Sequence, residues 1–316
     1  MWLFANILTL SSCLLYDYLG KRCIDSKKDE AICTTSLTYG ILCFLIAVII
    51  YALGLGESGQ APWMLIDETP AAVYSCLCTL FFDVINLFAF YFIGITVENV
   101  IFSFGSVFMV LGLVLINLFS GKLEGIQEIL RPLPLICLFL IIAGTVLLPH
   151  VDEIGTGKKH RSPGQSQKGQ PERKDMIAGI LLIILSSAFD AGDSLISSVA
   201  LSEESGNSID YIIVYFFLSA IYNCVFSAIF MGIKRRWLWV FQRKYLYAWR
   251  YALSGVALTL LTYWAITVDA VRADLAWVIY PALAMIAGKV LLKEKFSRRE
   301  YACMIGIILC STVFYL

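Results

Sequence analysis

The sequence has few charged residues and almost no histidine. Only 15% of its 316 residues are Asp, Glu, Lys or Arg, its 24 basic and 24 acidic residues cancel, and it has 2 histidines. A soluble domain has about 25% charged residues, so a polytopic membrane protein is indicated. The apolar fraction of 59% and the mean hydropathy of +0.79 favour the same class. The balanced charge argues against a nucleic-acid partner.

The sequence also lacks the motifs of soluble enzymes and metal sites. His150 and His160 lie in or beside a polar loop, no Cys-x-x-Cys occurs, and most of the 10 cysteines lie within apolar runs. A catalytic triad or a zinc site therefore has no residues from which to form. The segment 190–193, Asp-Ala-Gly-Asp, is too short for a calcium-binding loop. We expect no enzyme activity, no metal and no cofactor.

Long apolar runs, by contrast, occur along the whole chain. A hydrocarbon core of about 30 Å needs about 20 apolar residues per helix. The sequence therefore predicts an all-α protein with ten transmembrane helices. The predicted spans lie near residues 2–19, 34–56, 71–95, 97–119, 132–149, 176–200, 209–232, 248–268, 274–292 and 299–316.

The two halves of the chain resemble each other. A shift of 174 residues lays 95–122 over 269–296, and a shift of 175 lays Leu10-Ser11-Ser12 over Leu185-Ser186-Ser187. We interpret residues 1–149 and 176–316 as two five-helix repeats, joined by a polar basic linker at 150–175. An odd number of spans inverts the second copy relative to the first. Such inverted repeats are typical of secondary transporters.

Basic residues are concentrated in the loops between spans 1 and 2, 5 and 6, 7 and 8, and 9 and 10. The positive-inside rule places these loops in the cytoplasm and both termini outside. We expect a multi-pass protein of a bacterial plasma (inner) membrane. Its expected partners are membrane lipid and a small-molecule substrate, and the protein is expected to be a monomer or a homodimer.

Ionisable residues inside predicted helices are the best candidates for a functional site. Burial of a charge in a membrane costs roughly 2.5–3.5 kcal/mol on insertion scales, so such residues usually face a cavity or a partner. Asp83 lies near the middle of the third span, with Asn86 on the same helix face, and Asp190 and Asp193 share a face of the sixth. We predict that Asp83 and Asp190 bind substrate, that Asn86 forms hydrogen bonds to it, and that all three aspartates take part in proton coupling. Structural hydrogen bonds and solvation at the interface are the alternatives.

Other polar groups are expected to have lesser roles. Asp17 is predicted to lie near the interface at the end of the first span, and Glu98 to serve as a charge at a helix N-terminus. Lys289 is predicted to extend to the basic side. Aromatic and amide groups on spans seven to nine are candidates for the wall of a substrate cavity, with ordinary helix packing as the alternative. These candidates are Tyr215, Asn223, Tyr263, Trp277 and Tyr280.

The deep charged groups are mainly anionic, whereas a phosphate-bearing substrate calls for buried Arg or Lys. A cationic or zwitterionic metabolite is therefore favoured. A nucleotide-sugar carrier is the alternative within transport, and a non-transporting membrane scaffold or receptor is the alternative outside it.

The closing segments resemble a known family. Residues 280–283 (Tyr-Pro-Ala-Leu), 291–297 (Leu-Leu-Lys-Glu-Lys-Phe-Ser) and 306–309 (Gly-Ile-Ile-Leu) look like those of EamA-type carriers of the drug/metabolite transporter superfamily. Segment 179–230 also resembles the second half of bacterial choline carriers of that superfamily. The resemblance implies a ten-helix carrier, and its choline branch implies a quaternary-amine substrate. Family members generally have both termini in the cytoplasm, the reverse of the orientation that the basic loops indicate.

Overall fold

The described part of the chain consists of helices connected by turns and loops. A computed structural model describes residues 2–26, 30–56, 58–119, 132–151, 173–202, 208–235 and 237–315, and contains no strand within them. The predicted linker at 150–175 lies mostly outside these residues. We number the α-helices α1 Trp2–Ser26, α2 Ala31–Ala52, α3 Pro70–Ala89, α4 Ile95–Phe102, α5 Gly105–Phe119, α6 Pro132–Leu147, α7 Arg173–Ser202, α8 Ser208–Lys234, α9 Leu246–Ala287 and α10 Arg298–Tyr315.

Seven described segments are long and apolar enough to cross a membrane, as expected of an integral multi-pass membrane protein. They are Leu3–Asp25, Ala31–Ala52, Pro70–Ala89, Ile95–Phe119, Pro132–His150, Lys174–Ser197 and Ile209–Lys234. Large apolar side chains such as Phe4, Phe139, Leu181 and Ile233 are exposed on their outer faces. These faces suit lipid contact.

Two predicted boundaries differ from the structure. The spans predicted at 248–268 and 274–292 are one continuous helix, α9, which passes through Pro281 and ends in a π-helical turn at Gly288–Leu292. Residues 269–273 contain charges but no Gly or Pro, so nothing in the local backbone stops the helix there. The single span predicted at 97–119 is instead interrupted by a turn at Ser103 and Phe104, between α4 and α5.

The principal helix contacts join the two halves of the chain. α1 packs along α9, α3 along α7, α2 along α8 and α6 along α10, whereas α1 and α2 touch each other little. The two halves therefore interleave, and groups from both of them surround the interior of the bundle.

Glu294, after the π-helical turn, binds the N-terminus of α4. Its carboxylate accepts hydrogen bonds from the backbone N–H of Ile95 at 2.9 Å and of Thr96 at 3.2 Å. These N–H groups have no partner within α4, because the first turn of a helix leaves its donors unpaired. Gly94 and Gly288 line the carboxylate so closely that a Cβ at either position meets it. Glu294 thus ties the second half of the chain to the first.

On another part of the molecule, Tyr245 connects α9 to the start of α2. Its hydroxyl donates to Glu30 Oε2 at 2.6 Å, and Lys244 Nζ lies 4.0 Å from the same oxygen. Burial, and then the hydrogen bond to Glu30, raise the pKa of Tyr245. The nearby side chains of Trp237, Trp239 and Phe241 are exposed. Exposed aromatic side chains beside basic residues are typical of a membrane–water interface.

Candidate functional site

Asp193 of α7 is hydrogen-bonded to hydroxyl groups of two helices. Ser75 Oγ of α3 donates to Asp193 Oδ1, Thr79 Oγ1 donates to Oδ2 at 3.3 Å, and Ser197 Oγ donates to Oδ1 at 3.3 Å. These neutral donors hold the carboxylate in place without neutralising its charge. Asp193 therefore remains available to attract a cation.

Three tyrosines pack beside this carboxylate. The ring centroids of Tyr211, Tyr215 and Tyr263 are 6.1–6.4 Å apart, with two pairs edge to face and one pair nearly parallel. The Tyr215 hydroxyl donates to Thr79 Oγ1 at 3.1 Å, and that of Tyr211 lies 3.2 Å from Ser197 Oγ. We call these three tyrosines, with Asp193 and its hydroxyl donors, the tyrosine–Asp193 cluster. Aromatic faces beside a carboxylate are a favourable environment for an organic cation.

Asp83 of α3 is bound by a second pair of tyrosines. Tyr16 of α1 donates to Asp83 Oδ1 at 2.6 Å, and Tyr251 of α9 donates in turn to the Tyr16 hydroxyl. The two rings are stacked with their centroids 4.3 Å apart, and both are buried. Three helices from the two halves thus meet at this carboxylate.

Asp190 lies within electrostatic reach of both Asp83 and Asp193, and Asp83 within reach of Asp193. The three predicted aspartates are therefore gathered in one region. Basic residues are scarce around them. α3 has no Lys or Arg, and those of α7 and α8 (Arg173, Lys174 and Lys234) lie at the helix ends. The charged residue types of this region are therefore mainly acidic.

The remaining predicted site residues lie elsewhere. Asn223 is buried where α8 meets α2, and its amide donates to the backbone of Ser219 at 2.9 Å. Trp277 and Tyr280 contact each other edge to face near Cys13. Asn86 faces Glu98. The structure thus brings Tyr215 and Tyr263 to the Asp193 carboxylate but separates Asn86, Asn223, Trp277 and Tyr280 from it.

Two acidic residues that were given lesser roles are buried among the helices. Asp17 is 4% exposed and Glu98 is 2% exposed. Glu98 lies in the first turn of α4, where a charge at a helix N-terminus was expected. α1 continues nine residues beyond Asp17, to Ser26, because Lys21 binds inside the protein. Its ammonium group donates to the carbonyls of Phe90 at 2.5 Å and Ile93 at 3.3 Å. By contrast Lys289 is exposed and lies over the ring of Tyr301 at 5.5 Å.

The sequence prediction also missed Tyr16, Tyr211 and Tyr251. Each could have been noticed as a tyrosine in an apolar helix. No local signal, however, distinguishes them from the other tyrosines among the 16 in the chain.

Comparison with known proteins supports the fold alone. No family model and no curated protein matches the chain. A solved structure described only as "Crystal structure of protein" matches with a TM-score of 0.56 and 16% sequence identity, over 100% of this chain and 98% of that one. The whole helical arrangement therefore has a counterpart among experimental structures.

Proposed function

We propose that the chain is a secondary transporter for a small cationic or zwitterionic metabolite, such as a quaternary amine or an amino acid. The tyrosine–Asp193 cluster is the observation that carries this proposal. It combines aromatic faces with an anchored carboxylate inside the bundle, and both attract an organic cation. The membership in the EamA-type carriers and the bacterial inner membrane remain part of the proposal, on the strength of the sequence resemblance.

The packing of the helices supports a five-plus-five inverted repeat. Exchange of each helix with its counterpart in the other half converts the α3–α7 pair into the pair formed by α1 and the first part of α9. The same exchange leaves α2–α8 and α6–α10 unchanged, and all of these pairs pack extensively. An internal two-fold relation of this kind suits alternating access, in which the two repeats rock around a central site.

Proton coupling is proposed at Asp83, Asp190 and Asp193. Because the three carboxyl groups lie within electrostatic reach of one another, a bound cation and a proton compete for the same negative charge. Such competition links amine binding to the protonation of these aspartates.

The first test is a thermal-shift screen of the detergent-purified protein against choline, other amines, amino acids, nucleotide sugars and sugar phosphates. A ligand at about 100 times its dissociation constant adds about 2.7 kcal/mol to the stability of the native state. We expect an amine or an amino acid to raise the unfolding midpoint. The same compound should then exchange across proteoliposomes in a counterflow assay.

Each other outcome contradicts the proposal. Stabilisation by nucleotide sugars alone, lost in Lys289→Ala, would support the nucleotide-sugar carrier. Stabilisation without counterflow would support a receptor, and no response to any class would support a membrane scaffold.

The tyrosine rings give a second prediction. We expect Tyr263→Phe to retain most of the affinity for the amine found in the screen and Tyr263→Ala to lose about 30-fold, because a desolvated cation–π contact contributes about 2 kcal/mol. Isothermal titration of the two variants measures the difference. Tyr247→Ala, at an exposed position of the same helix, is the control. Equal losses in Phe and Ala would show that the hydroxyl, rather than the ring face, contacts the amine.

A further inference from the structure

A pair of carboxyl groups, apart from the three aspartates described above, is buried outside the tyrosine–Asp193 cluster. Asp17 of α1 and Glu98 of α4 are joined by the Asn99 amide, which donates to Asp17 Oδ2 at 2.8 Å and also to Glu98 Oε2. Tyr280 of α9 donates to the same Asp17 oxygen. Helices from both halves therefore meet at this pair.

The hydrogen-bond donors at this pair are too few for two ionised carboxylates. The Asn99 nitrogen carries two hydrogens but faces three acceptors, since it also donates to the Ile95 carbonyl at 2.9 Å. No described ion pair involves Asp17 or Glu98. Two like charges buried together without a counter-ion are strongly unfavourable. At least one of the two carboxylates therefore requires a proton or another cation to compensate its charge.

The surroundings of Asn86 indicate that Glu98 is the protonated member of the pair. Its side chain lies beside Glu98 and is 4% exposed, yet its Oδ1 has no hydrogen-bond partner among the described residues. A protonated Glu98 supplies an O–H donor for this oxygen, while the Asn86 N–H donates to the other carboxyl oxygen. A carboxylic acid and a primary amide thus satisfy each other with two hydrogen bonds.

The other charged and titratable groups nearby do not supply the missing charge. Lys21, one turn along α1, is occupied by the Phe90 and Ile93 carbonyls and pairs with Asp25 at 3.7 Å. Cys13 lies within electrostatic reach of both carboxyl groups, and Glu294 lies within reach of Glu98. Neither of these side chains can carry a positive charge. Tyr251 and Tyr280 are neutral neighbours of Asp17.

We propose that Asp17 and Glu98 hold one proton between them, carried by Glu98 and shared with Asn86, and that this proton drives the transporter. The coupling role rests on the proposed function, whereas the bound proton does not. A proton from solvent bonds to a Glu98 oxygen on one side of the membrane and is released on the other. Tyr16 and Asp17 are consecutive in α1, and Tyr16 binds Asp83. A movement of α1 therefore alters the aspartate region and the proton site together.

The bound proton is tested without substrate. In purified wild-type protein in potassium buffer, we expect infrared carbonyl bands of protonated carboxyl groups, and Glu98→Gln should remove the band that belongs to Glu98. We also expect the unfolding midpoint to fall as the pH rises above the range in which a free glutamate ionises, because the native state retains a proton that the unfolded chain loses. Glu98→Gln should flatten this slope. Glu300→Gln, at the start of α10, is the matched control.

The coupling role is tested in proteoliposomes with the amine from the thermal-shift screen. We expect Glu98→Gln and Asp17→Asn to lose uptake driven by a pH gradient while counterflow persists. A carbonyl spectrum and a pH slope that are both unchanged in Glu98→Gln would overturn the proposal, as would a sodium-dependent rise in the midpoint. Persistence of gradient-driven uptake would overturn the coupling role alone. Failure of wild-type counterflow would instead contradict the proposed function, and the infrared result would still decide the proton site.

Discussion

Asp193→Asn is expected to weaken amine binding by about 150-fold. Loss of one partner from a buried charge pair costs about 3 kcal/mol or more, because the other charge stays desolvated without compensation. Asn preserves the side-chain volume, and its oxygen can still accept hydrogen bonds from Ser75 and Ser197, which bind Asp193 in the native protein. Ligand-free stability should therefore change little. Isothermal titration measures the affinity, and a thermal scan without ligand measures the stability.

Asp175→Asn is the matched control, since Asp175 is an exposed carboxylate in the first turn of the same helix. It should bind the amine as the wild type does. Unchanged affinity in Asp193→Asn, with an intact fold, would remove the tyrosine–Asp193 cluster from the binding site. A large fall in ligand-free stability would instead show that Asp193 serves to hold α3 and α7 together.

The second large effect is expected on stability, from Glu294. Glu294→Ala leaves the N–H groups of Ile95 and Thr96 unpaired, and each buried, unsatisfied donor costs about 1–3 kcal/mol. We expect a loss of about 3 kcal/mol in total, seen as a lower unfolding midpoint in detergent. Gly94→Ala should have a similar effect by a different route, because the added Cβ occupies the position of the Glu294 carboxylate.

A double-mutant cycle tests whether the Gly94 and Glu294 substitutions act through the same contact. If Gly94→Ala acts by displacing Glu294, the double variant should be little less stable than either single variant, a strongly non-additive result. Gly232→Ala, where an added Cβ meets nothing within 4 Å, should not lower the midpoint, because alanine is the better helix former. Additive losses would mean that Gly94 and Glu294 stabilise the protein independently.

Several features of the fold could be predicted because they depend on local sequence. Apolar runs of about 20 residues identify membrane helices whatever lies around them, and those that correspond to α2, α3, α6, α7 and α8 appear where they were expected. The boundaries within α9 could not be predicted in this way. Charged residues at 269–273 suggested a loop, but charges do not end a helix unless a Gly, a Pro or a cap also interrupts the backbone.

The candidate site was only partly predictable, for a related reason. A carboxylate in the middle of a span is unusual by composition alone, so Asp83, Asp190 and Asp193 could be selected from the sequence. Asp17 and Glu98 could not be assigned to the interior in the same way. Their burial depends on the length of α1 and on the docking of α4, and docking involves Glu294, which lies 199 residues from Ile95 in the chain.

By itself, the sequence determined that this protein is helical and apolar enough to reside in a membrane, and that its buried charges are mainly acidic. These properties follow from residue types and from the lengths of runs. Only the tertiary structure decided which acidic groups share a site and which tyrosines surround them. Asp17 meets Asn99 and Tyr280 across 82 and 263 residues of chain. Contacts over such separations arise from the packing of whole helices, which no local pattern in the sequence encodes.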